Sequence, residues 1–71
     1  MIPYNKIGLV KNGDMVGFYV KIFPDINSTG GYYILYSKDF SDKTAEGYDD
    51  WLLNEYEVES YFRNIIVDWS I

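Results

Sequence analysis

The sequence predicts a small α+β domain: an antiparallel sheet of four to five strands, with one helix in the C-terminal half packed on one sheet face. Three observations predict it. Short apolar and aromatic runs with an alternating pattern recur through the first half of the chain. Clusters of turn-forming residues separate them. One stretch only, residues 51–64, combines helix-capping residues with apolar spacing of helical period. At 71 residues the chain has room for a single domain, 1–71. It has no cysteine, and aromatics make up 20% of it, so side-chain packing rather than cross-linking must hold the fold. A small barrel of the SH3-like or OB-like kind is the alternative, because short, strongly twisted strands tend to curl closed.

Each element has its own signal. Lys11-Asn12-Gly13-Asp14 lies between apolar runs, and Asn-Gly suits the two left-handed positions of a type I′ hairpin turn. This predicts a first strand over 4–11 and a second over 14–23. In the second, Val16, Phe18, Val20 and Ile22 share one face, the better core candidate, opposite Met15, Gly17, Tyr19, Lys21 and Phe23. Pro24, which has no N–H to donate, is expected to end that strand. Residues 24–30 read as a turn. A third strand follows over 31–37, with Tyr32, Ile34 and Tyr36 alternating with Tyr33 and Leu35, so the sheet face away from the helix is expected to be partly open and rich in Tyr. Residues 38–50 are polar and read as an exposed loop, with Trp51-Leu52-Leu53 a short strand after it.

Asn54 is a good helix N-cap, with Glu57 three positions on as in a capping box, and Leu53 and Val58 spaced for a hydrophobic staple. Val58, Tyr61 and Phe62 form the apolar stripe. Glu55, Glu57 and Glu59 lie early in the helix, where its dipole favours anions; Arg63 falls near its end, and Asn64 suits a left-handed position after it. The last strand is predicted over 65–69, with Ile65, Val67 and Trp69 on one side.

Composition narrows the chemistry. Without His or Cys there is no imidazole base, no thiol nucleophile, no redox pair and no His/Cys zinc site. A domain with one small core has little room for a cleft that would set two carboxylates apart as acid and base, so an enzyme is not expected. Thr29-Gly30-Gly31 lacks the Lys-Ser/Thr and following helix of a phosphate loop. A net charge of -5 opposes a nucleic-acid backbone, so direct nucleic-acid binding is not expected, although tyrosines on a sheet are suited to stacking on bases. No apolar run approaches the length of a membrane span, and no basic stretch leads into a long apolar one at the N-terminus. With zero cysteines, this points to the cytoplasm.

The charge is segregated. Residues 1–38 hold four Lys against two Asp, whereas residues 39–59 hold eight acids against Lys43 alone. Interleaved with those acids are Phe40, Tyr48, Trp51 and Tyr56. Aromatic anchors within a charged rim are an interface composition, and a dense negative stretch speeds encounter with a positive surface. The candidate partner-binding residues are Asp42, Glu46, Tyr48, Asp49, Asp50 and Tyr56, facing a basic protein partner. The plainer reading is a solvated loop and helix start, with Trp51 and Phe40 in the core. A calcium site is a further alternative, but Asp39-x-Ser41-x-Lys43 puts a cation where the loop pattern needs a donor, which leaves Asp49-Asp50 with Asp42 or Glu46. No cofactor is expected.

Gly17-Phe18-Tyr19-Val20-Lys21-Ile22, Thr29-Gly30-Gly31-Tyr32-Tyr33-Ile34-Leu35, Tyr48-Asp49-Asp50-Trp51, Glu59-Ser60-Tyr61-Phe62 and Val67-Asp68-Trp69 together resemble small bacterial immunity proteins, the antitoxins encoded beside secreted toxins. The resemblance spans residues 16–69 and carries no defined functional residues. It implies a cytoplasmic, non-catalytic inhibitor that covers a toxin. The other expectation is a structural or housekeeping domain, oligomeric through its Tyr-rich sheet face.

Overall fold

The computed structural model describes residues 2–70. Within them the chain forms β1 (Ile7–Val10), β2 (Tyr19–Asp25), β3 (Gly31–Ser37), β4 (Gly47–Leu52), α1 (Glu55–Tyr61) and β5 (Val67–Asp68). The strands make one antiparallel sheet in the order β4-β3-β2-β1-β5. β4 and β5 are its two separate edges, so the sheet is open and the barrel alternative does not form.

Pairing register sorts the side chains by face, since residues directly opposite one another point the same way. Val20 faces Tyr36, which faces Tyr48; Ile22 faces Ile34, which faces Asp50; Pro24 faces Tyr32, which faces Leu52. The helix covers this face. Val10, Phe18, Val20, Ile22, Tyr32, Ile34, Tyr36, Val58 and Phe62 form one buried cluster, with Ile65, Val67 and Trp69 packed against it as their alternation predicts. Each wholly buried Ile or Val in this cluster contributes about 1.5–3 kcal/mol relative to exposure.

Several boundaries differ from expectation. Among the described residues only Asn5 and three glycines have positive φ; Asn12 is not one of them, so the first connection is not a type I′ turn. It runs from Lys11 to Gly17, closed where Val10 N–H donates to the Phe18 carbonyl and Gly17 N–H donates back to Val10. Val16 therefore sits in a turn, 54% exposed, instead of on the core face. The Asn12 side chain is used elsewhere: Oδ1 accepts from Ile66 N–H at 2.7 Å and Nδ2 donates to the Asn64 carbonyl at 3.2 Å. That ties the first connection to the segment leading into β5.

Pro24 does not end β2; it pairs with Tyr32 inside it. The Ile22 carbonyl accepts from Asn5 N–H, on the β1 side of β2. Pro24, two residues on, turns its donorless nitrogen to the same side, where β1 is not paired beyond Lys21, so no ladder bond is lost.

The segment 38–50 is not all loop: from Gly47 it is strand. The helix is short. Asn54 caps it as predicted, accepting from Glu57 N–H at 2.9 Å, and the Glu57 carboxylate accepts from Leu53 N–H at 2.8 Å. The staple does not close, because Leu53 is exposed while Leu52 packs on the core. Arg63 lies beyond the last helical turn, and Asn64 takes no left-handed conformation.

Candidate interaction surface

The six sequence-predicted residues fall on one end of the sheet but not on one plane. Asp42 lies in the loop between β3 and β4. Its Oδ1 accepts from the Thr44 hydroxyl at 2.7 Å and from Thr44 N–H at 2.9 Å. The hydroxyl bond, then the backbone bond, hold the Asp42 carboxyl below its ordinary range. Asp39 makes the equivalent pair of bonds, accepting from the Ser41 hydroxyl at 2.6 Å and from Ser41 N–H at 2.9 Å. These two acids shape the loop while remaining exposed. Glu46 precedes β4 and accepts from the Tyr48 hydroxyl at 2.6 Å; that bond, with the Glu46 charge, pushes the Tyr48 phenol up.

β4 itself is exposed from Gly47 to Trp51. Tyr48 and Asp50 project on the helix side of the sheet, and Asp49 and Trp51 on the other. Tyr48 packs its ring 5.7 Å from that of Phe18. Asp50 accepts from the Tyr61 hydroxyl at 2.8 Å, and Tyr61 lies 2.9 Å from the Tyr36 hydroxyl. Tyr61 has one proton, given to Asp50, so Tyr36 donates to Tyr61. Burial first, then these hydrogen bonds, drive the Tyr61 phenol far above its ordinary value, and burial raises that of Tyr36. Tyr56 stands on α1, 77% exposed. Asp49 and Asp50 point to opposite faces, and among the described residues no group of three or more acidic side chains is placed to hold a metal ion.

Of the two sequence readings of Trp51, an interface aromatic or a core residue, the core one does not hold: it lies on the uncovered face, 42% exposed. Its Nε1 donates to Thr29 Oγ1 at 2.9 Å, and its indole covers Gly31, where any Cβ would collide with the ring. This uncovered face carries cross-strand rows: Ile7, Lys21, Leu35 and Asp49; Phe23, Tyr33 and Trp51; Leu9 and Tyr19. Phe40 lines, with Ile7, Tyr19 and Lys38, a shallow groove of about 410 Å³ at its margin. The alternation of Tyr19, Lys21 and Phe23 signals this face in the sequence, and its openness follows from there being one helix.

The backbone supplies a feature that side-chain reading missed. Lys38 N–H donates to the Glu46 carbonyl, which extends the β3–β4 ladder. Even-numbered residues of β4 therefore bond inward to β3, and Gly47, Asp49 and Trp51 turn N–H and C=O outward at the edge. Among the described residues no group of the chain bonds them. Leu53 N–H, next along, is taken by Glu57.

The fold defines the class, a small α+β protein with one sheet face uncovered and an acidic, exposed edge strand. No protein-family model, curated protein or solved structure matches the chain. Among the described residues no helix is long and apolar enough to cross a membrane.

Proposed function

We propose that this protein is a small acidic protein-binding module, an inhibitor of the immunity-protein kind that covers a basic partner such as a toxin. The observation that carries the reading is β4: an exposed edge strand on which Asp49 and Asp50 lie between Tyr48 and Trp51, flanked by Glu46 and the Asp42 loop. Negative charge gives encounter and the aromatics give residence. The module acts by occlusion, with no catalytic residue and no cofactor, in the cytoplasm where such an antitoxin meets its toxin.

The test is surface binding kinetics at two salt concentrations against the protein encoded by the neighbouring gene. Asp42→Lys and Glu46→Lys slow association and flatten its salt dependence; Tyr48→Ala and Tyr56→Ala shorten the complex lifetime. Salt-independent kinetics that ignore charge reversal at Asp42, Glu46 and Asp49 sink the reading.

The uncovered face favours a second reading, a structural or housekeeping domain that self-associates through Tyr19, Phe23, Tyr33 and Trp51. Sedimentation across micromolar concentrations separates the two, since only this reading requires a stable dimer that Tyr33→Lys dissolves.

A further inference from the structure

From the unpaired edge of β4 we infer that the partner docks by strand addition: an extended segment with two consecutive basic residues pairs antiparallel with Gly47–Leu52 and becomes the sixth strand. This rests on the proposed reading of a basic protein partner and supplies its mode of docking.

Two observations carry it. The first is geometric. Gly47, Asp49 and Trp51 present N–H and C=O outward at alternate positions, about 7 Å apart, the spacing an added strand matches. β4 is exposed from Gly47 to Trp51, and the flanking Leu53 N–H is capped by Glu57, which sets the length of the open stretch.

The second is charge, and it selects the occupant. A second copy of the chain would meet like charge in every antiparallel register that engages two or more of the three outward residues. Centred on Asp49, it sets Asp49 against Asp49; centred on Asp50, Asp50 against Asp50; centred on Tyr48, Glu46 against Asp50. Like charges directly opposite in a sheet are destabilising, and acidic edges block self-pairing in this way. The same acids welcome the reverse pattern. Asp49 and Asp50 project to opposite faces, so the residues facing them are neighbours in the incoming strand, both Lys or Arg. The residues facing Tyr48 and Trp51 then fall on either side of the basic pair and are apolar or β-branched. The docking segment reads apolar-basic-basic-apolar.

The probe is a blocked peptide, Thr-Val-Lys-Lys-Val-Thr, titrated into isotope-labelled protein and followed by NMR. The amide protons of Gly47, Asp49 and Trp51 shift downfield and gain protection from exchange, and those of Tyr48 and Asp50 move little. Methylating the peptide amides that face the edge weakens binding about tenfold or more, the loss of at least one backbone hydrogen bond. The Thr-Val-Glu-Glu-Val-Thr peptide does not bind. Asp49→Pro removes an outward N–H that the fold itself leaves unbonded, and it abolishes the shifts at Gly47 and Trp51. Asp49→Asn keeps the N–H and retains them at reduced affinity. Undiminished binding by the methylated peptide overturns strand addition and leaves the charge-driven reading standing. Shifts centred on Tyr56 and α1, equal binding by the glutamate peptide, or no binding at all also overturn it. Failure of the reading beneath it shows separately, as a partner whose kinetics ignore charge reversal.

Discussion

Tyr61 accepts a hydrogen bond from Tyr36 on one side and donates one to Asp50 on the other, so one phenol joins the core, the helix and the edge strand. Tyr61→Phe keeps the ring, with its 5.0 Å edge-on contact to Phe62, and removes only the relay. It leaves the Tyr36 hydroxyl half-buried without its acceptor, at a cost of about 1–3 kcal/mol measured by urea unfolding. An unchanged midpoint would mean that solvent replaces the bond without loss. The relay was not legible in the sequence: Tyr61 was read as part of the apolar stripe, which it is, and Asp50 as one of a run of loop acids. Their meeting depends on β4 being a strand that turns Asp50 to the helix side. Asn12 teaches the same point. Its neighbour Gly13 made it look like a turn residue, whereas its amide holds the backbone of Asn64 and Ile66, far along the chain, where no local pattern points.

At the level of the elements, the helix was the most legible, because its signals are local. Asn54 and Glu57 satisfy the first free backbone donors within four residues of sequence. A seven-residue helix has few internal bonds and depends on that cap and on Val58 and Phe62 for its place. Asn54→Ala is expected to destabilise the domain by about 0.5–2 kcal/mol, seen as a lower urea midpoint. β4 was legible only at its end, Trp51-Leu52, because Asp49 and Asp50 interrupt the apolar alternation by which strands are recognised. Charged residues are what an edge strand needs, so the feature that hid the strand is the one that protects it. Phe18 was read as inward-facing and is buried, although the strand it was assigned to begins one residue later. Phe18→Ala removes a core aromatic in contact with Tyr48 and is expected to cost about 3–5 kcal/mol, close to the whole stability of so small a core. Circular dichroism at room temperature would then show partial unfolding, and a mutant with wild-type melting would place Phe18 outside the core.

For the whole molecule, the tyrosines set a limit on the alkaline side. Burial raises the phenols of Tyr4, Tyr32, Tyr36 and Tyr61 above the ordinary value of 10.0, and the Glu46 bond raises that of Tyr48. Each folded-state pKa lies above its unfolded counterpart, so the folded state holds these protons more tightly. The resulting stability is fully present below about pH 10 and is lost as pH rises through the folded values. Melting temperature is therefore expected to fall steeply above about pH 10, with tyrosinate absorbance appearing together with unfolding instead of before it. The α+β class, the single helix and the open aromatic face were all legible at this scale, since they follow from composition and alternation. The strand order was not, because pairing between distant segments leaves no mark on either one.

That order has one more consequence. β2 with β3 and β3 with β4 are neighbours along the chain, joined by short connections. β1 and β5 are not: Leu9 meets Asp68 and Val10 meets Val67, so the first strand finds its outer partner only in the last. During synthesis on the ribosome, the far edge stays bare until residue 68 has emerged. Lys11 N–H lacks the Ile66 carbonyl, and Asn12 lacks both of its backbone partners, until then. The loop closed by that pairing is the longest in the fold and carries the largest closure entropy, so its formation is expected to come late and to set the folding rate. Slowing the emergence of residues 66–68 would hold the nascent chain with the β2–β3–β4 meander formed and β1 without its outer partner.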